Sequence, residues 1–436
     1  MEICRSQNRG EYYHSPPCAM DARNIRWYPV ESRLESGSGD TGSMSFALRA
    51  WPRTTSDFIG EWILPIGYFC LLTGLTWLDD RSQYHKLFYA LVAAPALIAM
   101  VMQPKQLVSP LRDPITLAFI AFSAWALLSI SWSGTDESVA SLSKRPLYIL
   151  MLFMACAFMA QRNCSRLLKV VCLASLVIIP IAAYALIVFA LHHEPDARLV
   201  GSGALDNPLL SSHVFGLFCI AWLGWGMTAS SRQSQLALIP LAVLLLTLLA
   251  TGSRTPILAL ALASGWLMIC CWNKRALVLA VLGACGVLAL LLIYPESLLN
   301  RGTSYRLEIW QLALEQIRLQ PWIGHGFDAH LAISIPGTNY TFSEPHSFFL
   351  GVLYYTGIIG ALFWLFMHGA ALWACWQQRS DLYFIIAGAL VVYGLGAGLA
   401  EGGGILSRPK EHWFLTWIPL ALVAALNIGR KKERDR

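Results

Sequence analysis

The sequence predicts an all-α polytopic membrane protein with about 12 transmembrane helices and one long outer loop. Apolar residues make up 56% of the 436 residues and charged residues only 13%, whereas a soluble domain carries about 25% charged residues. The apolar residues also occur in long runs, and a bilayer-spanning helix needs about 20 consecutive apolar residues. These two observations exclude an ordinary soluble globular protein.

The chain begins with a polar segment, which we interpret as a disordered cytoplasmic tail over residues 1–57. This segment is Arg-bearing, ends near the Gly/Ser-rich run 36–43, and lacks the apolar core of a signal peptide. Met44 starts a juxtamembrane sequence of more ordinary composition. The sequence is therefore compatible with a functional protein that begins at either Met1 or Met44.

Twelve apolar windows follow the tail. The stretch 236–272 is too long for one span, and its central Gly252 and Pro256 are suited to end one helix and open the next. We therefore expect nine spans within 58–294, an outer loop over 295–346, three spans within 347–428 and a basic tail over 429–436. The windows cover 58–78, 87–102, 114–132, 146–160, 167–191, 208–228, 236–250, 255–272, 276–294, 347–373, 382–400 and 413–428.

The distribution of charge gives the orientation. An even number of spans places both termini on one side, and the basic tail 429–436 assigns that side to the cytoplasm. Several arginines depart from the positive-inside rule because they lie in connections on the opposite, periplasmic side. These exceptions are Arg145, Arg198, Arg254, Arg301, Arg306, Arg318 and Arg408.

The outer loop 295–346 contains a predicted amphipathic helix. Apolar residues recur at helical spacing between residues 304 and 320, and Pro321 ends the run. Such a helix lies on the membrane surface or over a cavity, with Arg306 and Trp310 one turn apart. The apolar residues are Leu307, Trp310, Leu314 and Ile317.

The outer arginines predict an anionic ligand at the membrane boundary. A guanidinium is permanently charged and its planar fork matches phosphate oxygens, so converging arginines bind pyrophosphate well. Snorkelling to lipid headgroups is the alternative at any single position. Arg254 is the strongest candidate because it lies between two apolar halves, in a connection too short to reach far into water.

His346 is the candidate general base. It stands in Glu344-Pro345-His346-Ser347, where the outer loop meets the tenth span. Histidine titrates near neutrality, and the start of a helix favours its neutral, proton-accepting form. A purely structural role is the alternative. His213, inside the sixth span, either packs between helices or lines a cavity.

Other binding functions are disfavoured. The net charge of +6, from 32 basic and 26 acidic residues, is too small on a membrane protein to indicate nucleic-acid binding. The 11 cysteines contain no CxxC pair, and the outer histidines show no regular metal spacing. We therefore expect no metal site and no cofactor.

Four short motifs occur in order along the second half of the chain. They are Ser253-Arg254-Thr255-Pro256, the segment Arg306 to Trp310, the segment Pro321 to Phe327, and Pro345-His346-Ser347-Phe348 followed by Gly357 to Gly360. In this order, around one long outer loop, they resemble the O-antigen ligase and polymerase superfamily of bacterial inner membranes. The resemblance covers residues 198–360 by motif and most of the chain by helix count. The superfamily often has His-Asn where this chain has His346-Ser347.

The resemblance implies a GT-C-like architecture and metal-free, inverting glycosyl transfer from undecaprenyl-pyrophosphate-linked O-antigen at the periplasmic face. In the ligase branch, the acceptor is a sugar hydroxyl of the lipid A core. We then expect His346 to be the base and Arg254 and Arg306 to act on the pyrophosphate or the adjacent sugar. Arg145 and Arg198 are further phosphate contacts, and Trp310 is a further substrate contact. Membrane lipids are the remaining partners.

Three alternatives remain at this stage. Polymerases of the superfamily usually have two large outer loops, and protein O-oligosaccharyltransferases usually have an extra domain after the last span. From a different class, a lipid-linked sugar flippase or transporter would show a repeat between its halves and ionisable groups near the bilayer midplane. The single long loop and the one-sided placement of charge favour the ligase.

Overall fold

The computed structural model describes residues 54–192, 194, 197–228, 231–271, 277–278 and 305–434. In these ranges the chain is helical apart from connections and one two-stranded antiparallel hairpin. Eight helices are long and apolar enough to cross a membrane, and two shorter apolar helices accompany them. The predicted all-α polytopic fold is confirmed. The count of twelve stays a prediction, because the ninth window, 276–294, lies almost entirely outside the described residues.

The described helices are numbered here in chain order. The hairpin, β1 (Ile333–Ser334) and β2 (Thr341–Phe342), pairs Ile333 with Phe342 in the outer loop. The helices are α1 (Thr55–Thr76), α2 (Arg81–Met102), α3 (Pro114–Ser129), α4 (Val139–His192), α5 (Pro208–Thr228), α6 (Ser231–Ala250), α7 (Arg254–Cys271), α8 (Arg306–Leu319), α9 (Phe348–Gln377), α10 (Leu382–Gly398) and α11 (Trp417–Arg434).

Helix α4 is two spans joined at a turn. Its 54 residues would form a straight helix about 80 Å long, far more than the hydrocarbon core of a bilayer. Asn163 leaves the helical conformation (φ −159°, ψ 95°), and its side-chain oxygen accepts a hydrogen bond from the Arg166 N–H at 3.1 Å. The turn therefore lies between the fourth and fifth predicted windows.

Short polar side chains start most of the spans. At the start of α3, one carboxylate oxygen of Asp113 accepts from the N–H groups of Ile115 and Thr116, both at 3.1 Å, and so satisfies two helix-terminal donors. The other carboxylate oxygen accepts from the Asn427 side chain of α11 at 2.9 Å. The other side-chain caps are Thr54 for α1, Asp80 for α2, Ser347 for α9 and Asp381 for α10.

Helix α11 lies at the centre of the bundle. Nearly all residues of its apolar part are buried, including Leu420, Ala421, Val423 and Ala425, each with 0% exposure. A helix that is apolar on every side requires partners on every side. Helices α3, α4, α9 and α10 pack against α11, and most of the connection before it, residues 401–416, is buried.

A break in α9 attaches the outer loop to the bundle. Gly357 has φ 63° and ψ −167°, a conformation open essentially to glycine alone. The backbone N–H groups of Ile358 and Ile359 then donate to the carbonyls of Pro321 and Trp322, at 2.8 and 3.2 Å. In return, residues 325 and 326 donate to the carbonyls of residues 354 and 355. The third motif and the Gly357 to Gly360 segment thus form one structural unit.

Helix α8 agrees with the predicted amphipathic helix, and of the four apolar residues that define its spacing Ile317 is buried and Trp310 half-buried. The buried residues are Ile309, Ala313 and Ile317, whereas Leu307 and Leu314 are exposed. The helix therefore packs on the bundle through Ile309, Ala313 and Ile317 and presents two leucines outward.

Candidate functional site

Arg198 and Arg254 are brought to one turn at the end of the bundle that carries the outer loop. The Leu199 N–H donates to the Ala250 carbonyl at 2.9 Å. The Arg198 guanidinium donates to the Thr251 carbonyl and to the Ser253 hydroxyl, both at 2.7 Å. A cation at the carbonyl end of a helix is favourable. Arg198 thus fastens the residues that follow α6, and Arg254 is the first residue of α7.

Arg254 also lies level with the end of α10. Helices α7 and α10 run antiparallel, with Ala259 of α7 against Gly396 of α10 and the Trp266 indole donating to the carbonyl of residue 385. Arg254 is five residues before Ala259, and Glu401 is five residues after Gly396. The beginning of α7 and the connection after α10 are therefore at the same height in the bundle.

Arg306, Glu401 and His412 form a chain of ionisable groups across this end of the bundle. Arg306 Nη2 lies 3.6 Å from Glu401 Oε2, and Glu401 Oε1 lies 3.8 Å from His412 Nε2. The His213 ring of α5 lies beyond, with its centroid 5.6 Å from that of His412. We refer to His213, Glu401 and His412 as the buried cluster, since their exposures are 0%, 5% and 9%.

The buried cluster places the Glu401 carboxylate beside two imidazoles, without the short contact of an ion pair. Its nitrogen and oxygen atoms lie within 4.8 Å of one another, with 3.8 Å between Glu401 and His412. Two ligands of one tetrahedral zinc ion lie closer together, about 3.4 Å apart. A zinc ion bound by these residues would therefore require the ligand atoms to lie closer together than they do here.

His346 lies near His412, beside this chain of ionisable groups. Its backbone is left-handed, with φ 48°, an uncommon conformation for a residue other than glycine. Ser347 follows and caps α9 by accepting from the Leu350 N–H at 3.4 Å. The His346 ring is half-buried and meets Phe342 edge-on, with 5.6 Å between ring centroids. The next aromatic residue, Phe348, meets His412 in the same way at 5.4 Å.

The glycine run after Glu401 connects the buried cluster to the His346 segment. Gly402 lies against Phe348, and Gly403 lies against Pro345 and Glu344 so closely that a Cβ atom would collide. Glu344 and His346 are therefore among the ionisable groups that surround His412, together with Lys410 and Arg81. Two of the predicted catalytic residues, His346 and Arg306, thus approach the same buried residues from different elements.

Arg145, near the start of α4, lies away from the buried cluster and against the outer loop. Its guanidinium forms ion pairs with Glu137 at 2.7 Å and with Asp328 at 2.8 Å, and it stacks over Phe327. Among the residues that the structure describes, no contact joins Arg145 to the buried cluster. Its evident role is to hold the outer loop to the connection between α3 and α4, and contact with a phosphate would require exchange of these carboxylates.

Trp310 lies one turn after Arg306. Its indole N–H is buried and has no hydrogen-bond partner within the described part of the chain. Buried donors are nearly always satisfied. The indole is therefore available to an oxygen of a ligand next to Arg306. Of the other outer arginines, Arg318 and Arg408 are exposed, and Arg301 lies outside the described residues.

The sequence analysis missed Glu401, His412 and the residues that hold them. Arg81 donates to one carboxylate oxygen of Glu411 from Nε (3.1 Å) and Nη2 (2.9 Å), and from Nη2 to Asp206 at 2.7 Å. This network ties the start of α2, the residues before α5 and the residues before α11 together. One signal was present: Glu401 is an acidic residue that directly precedes three glycines, Gly402 to Gly404.

Comparisons with known proteins agree with the order of these motifs. A family model described as O-Antigen ligase matches residues 239–365, which include Arg254, Arg306, Trp310 and His346. A curated O-antigen ligase from Pseudomonas aeruginosa is 44% identical over 382 residues, which cover 88% of this chain and 95% of the relative. The chain is therefore an enzyme that belongs to the O-antigen ligase family.

Proposed function

We propose that this enzyme is an inverting, metal-independent glycosyltransferase. It moves O-antigen polysaccharide from undecaprenyl pyrophosphate to a sugar hydroxyl of the lipid A core, at the periplasmic face of the inner membrane. One observation carries this proposal: Arg306 and His346 meet around Glu401 and His412 at the end of the bundle where Arg254 and Arg198 also lie. Family membership supports the choice of donor and acceptor.

Arg254 and Arg306 are the proposed partners of the pyrophosphate. Rupture of the anomeric bond leaves negative charge on the departing lipid pyrophosphate, so cations placed there stabilise the transition state more than the ground state. Arg198, fixed at the turn before Arg254, adds positive charge. The Trp310 indole donates to the phosphate or the first sugar. Arg145 is a weaker candidate, because two carboxylates already hold it.

His346 is the proposed general base. The acceptor hydroxyl oxygen attacks the anomeric carbon, and His346 takes the hydroxyl proton. The electron pair of the broken carbon–oxygen bond departs with the lipid pyrophosphate. A single displacement of this kind inverts the anomeric configuration. A positioned base typically contributes about 10²- to 10⁴-fold in rate.

Metal independence follows from the same residues in this proposal. Guanidinium groups supply fixed positive charge and paired donors to the leaving group, which is the task of a divalent cation in many other transferases. The outer arginines therefore take the place of a metal.

Reconstitution tests the proposal directly. Purified enzyme is supplied with undecaprenyl-pyrophosphate-linked O-antigen and purified lipid A core, and the products are separated by gel electrophoresis. We expect O-antigen joined to the lipid A core, with the inverted anomeric linkage by NMR. Longer polymer on undecaprenyl pyrophosphate would instead indicate a polymerase, and glycosylated protein an oligosaccharyltransferase. Movement of the donor across a vesicle membrane without a covalent product would indicate a flippase.

A further inference from the structure

The buried cluster holds ionisable groups for which the proposed mechanism has no use. His213, Glu401 and His412 come from α5, from the connection after α10 and from the residues before α11. Neither imidazole of the cluster, nor Glu401 Oε2, forms a hydrogen bond to any described residue. Buried polar groups are rarely left in this state, because desolvation without a hydrogen bond is unfavourable. The cluster is thus suited to change its partners or its protonation.

Arg306 is held more loosely than the other paired arginines around the site. Its one contact with Glu401 is 3.6 Å long, whereas charge-assisted hydrogen bonds are about 2.7–2.9 Å long. By contrast, Arg81 approaches Glu411 to 2.9 Å, and Arg145 approaches its two carboxylates to 2.7 and 2.8 Å. The Arg306 side chain is also a quarter exposed. Arg306 can therefore turn from Glu401 toward an incoming anion without breaking a short bond.

We propose that Glu401 positions Arg306 for the donor pyrophosphate, and that the Glu401–His412 pair binds one proton when pyrophosphate replaces Glu401 as the partner of Arg306. This inference rests on the proposed function. When Arg306 turns to the pyrophosphate, the Glu401 carboxylate would remain buried without its counter-ion. A buried, unpaired charge is so unfavourable that a proton from solvent is taken up instead.

Of the charges around the Glu401–His412 pair, Arg306 is the one whose interaction with the pair changes when the donor binds. Lys410, Glu344, His346 and Arg81 face His412, and His213 faces both members of the pair. Arg81 is already neutralised by Glu411 and Asp206, and Lys410 and Glu344 carry opposite charges. His346 takes a proton from the acceptor hydroxyl, which happens only after the donor has bound. Donor binding therefore alters the balance of the pair mainly through Arg306.

Calorimetry in the absence of acceptor measures the number of protons that the enzyme takes up when the donor binds. Binding of undecaprenyl-pyrophosphate O-antigen to the full-length enzyme is titrated between pH 6 and 8.5, in buffers of different ionisation enthalpy. The pyrophosphate diester stays fully ionised over this range, so any proton taken up binds to the protein. We expect up to about one proton per donor and an affinity that falls by as much as about tenfold per pH unit.

Variants of Glu401 test whether this residue is required for the proton uptake. Glu401→Gln preserves the size of the side chain and should abolish proton uptake and flatten the pH dependence of donor affinity. Glu401→Asp should restore proton uptake, with its pH range displaced. Glu315→Gln, on the exposed side of α8, is the matched control and should behave as the unmodified enzyme. A merely structural role for Glu401 would change stability without removing the proton.

Several outcomes overturn the inference. Equal proton uptake in Glu401→Gln and the unmodified enzyme would do so. A stoichiometric transition metal in the purified enzyme, lost on Glu401→Gln, would also do so, because the cluster would then be a metal site. If Glu401→Gln does not fold, Glu401→Asp takes its place, and proton uptake over an unchanged pH range in Glu401→Asp has the same meaning. Failure of the proposed function is distinct: the unmodified enzyme would then neither bind the donor nor transfer its glycan.

Discussion

Replacement of Gly357 by alanine should detach the outer loop from α9. The left-handed, extended backbone at Gly357 costs a residue with a Cβ atom about 1–3 kcal/mol. The added methyl group would also lie 2.3 Å from the Trp322 carbonyl oxygen, an atom of rigid backbone. Relief requires loss of the Ile358 and Ile359 hydrogen bonds to residues 321 and 322, each worth about 0.5–1.5 kcal/mol. We therefore expect a loss of about 2–6 kcal/mol in the free energy of unfolding.

The same helix offers a matched control. Gly369 of α9 is exposed, and nothing lies within 4 Å of a Cβ atom built there. Because alanine is the better helix former by about 1 kcal/mol, Gly369→Ala should leave the protein as stable or slightly more stable. Unfolding of both variants in mixed SDS micelles, followed by circular dichroism, measures the difference.

Transfer activity should follow stability in this pair. The segment that Gly357 holds leads directly from α8, which carries Arg306. Gly357→Ala should therefore lower transfer to the lipid A core even where the bundle is still folded, whereas Gly369→Ala should not. Normal stability and normal transfer in Gly357→Ala would refute the reasoning, as would equal damage in both variants.

Three further predictions concern the chemistry. His346→Ala should lower transfer in the reconstituted assay by about 100-fold or more with donor binding retained, and full O-antigen attachment in cells that lack their own ligase would contradict the assignment of the base. Arg254→Lys and Arg306→Lys should each weaken transfer by about tenfold or more, because a point charge lacks the planar fork; the exposed Arg318→Lys is the control, and unmodified rates in all three would exclude pyrophosphate binding by the first two. Exhaustive chelation should leave transfer by the purified enzyme undiminished, whereas loss of transfer and its rescue by magnesium or manganese would exclude the metal-free mechanism.

The helices could be predicted because hydropathy is a local property. Each apolar window within the described ranges corresponds to a helical segment, and Asn163 separates two windows inside the single helix α4. The turn between α6 and α7 lies where Gly252 and Pro256 predicted it, with Pro256 in the first turn of α7. The length and composition of a span are sufficient for such predictions, whatever its neighbours are.

The partners of the charged residues could not be predicted, because they depend on contacts between distant parts of the chain. Asp328, which holds Arg145, is 183 residues further along the sequence. Glu401 and His412 lie in a short connection without any periodic pattern, and only the packing of α10 and α11 brings them under Arg306. The burial of α8 has the same cause, since it depends on the bundle beneath the helix.

Because the backbone at His346 is left-handed, selection for stability and selection for activity should favour different residues at this position. A residue with a Cβ atom costs about 1–2 kcal/mol more than glycine in that conformation. A library of variants sorted for thermal stability alone should therefore enrich glycine, and to a lesser degree asparagine, at this position. A library sorted for lipopolysaccharide assembly should retain only histidine. The position at which the two libraries disagree most would mark the reactive centre without any knowledge of the substrate.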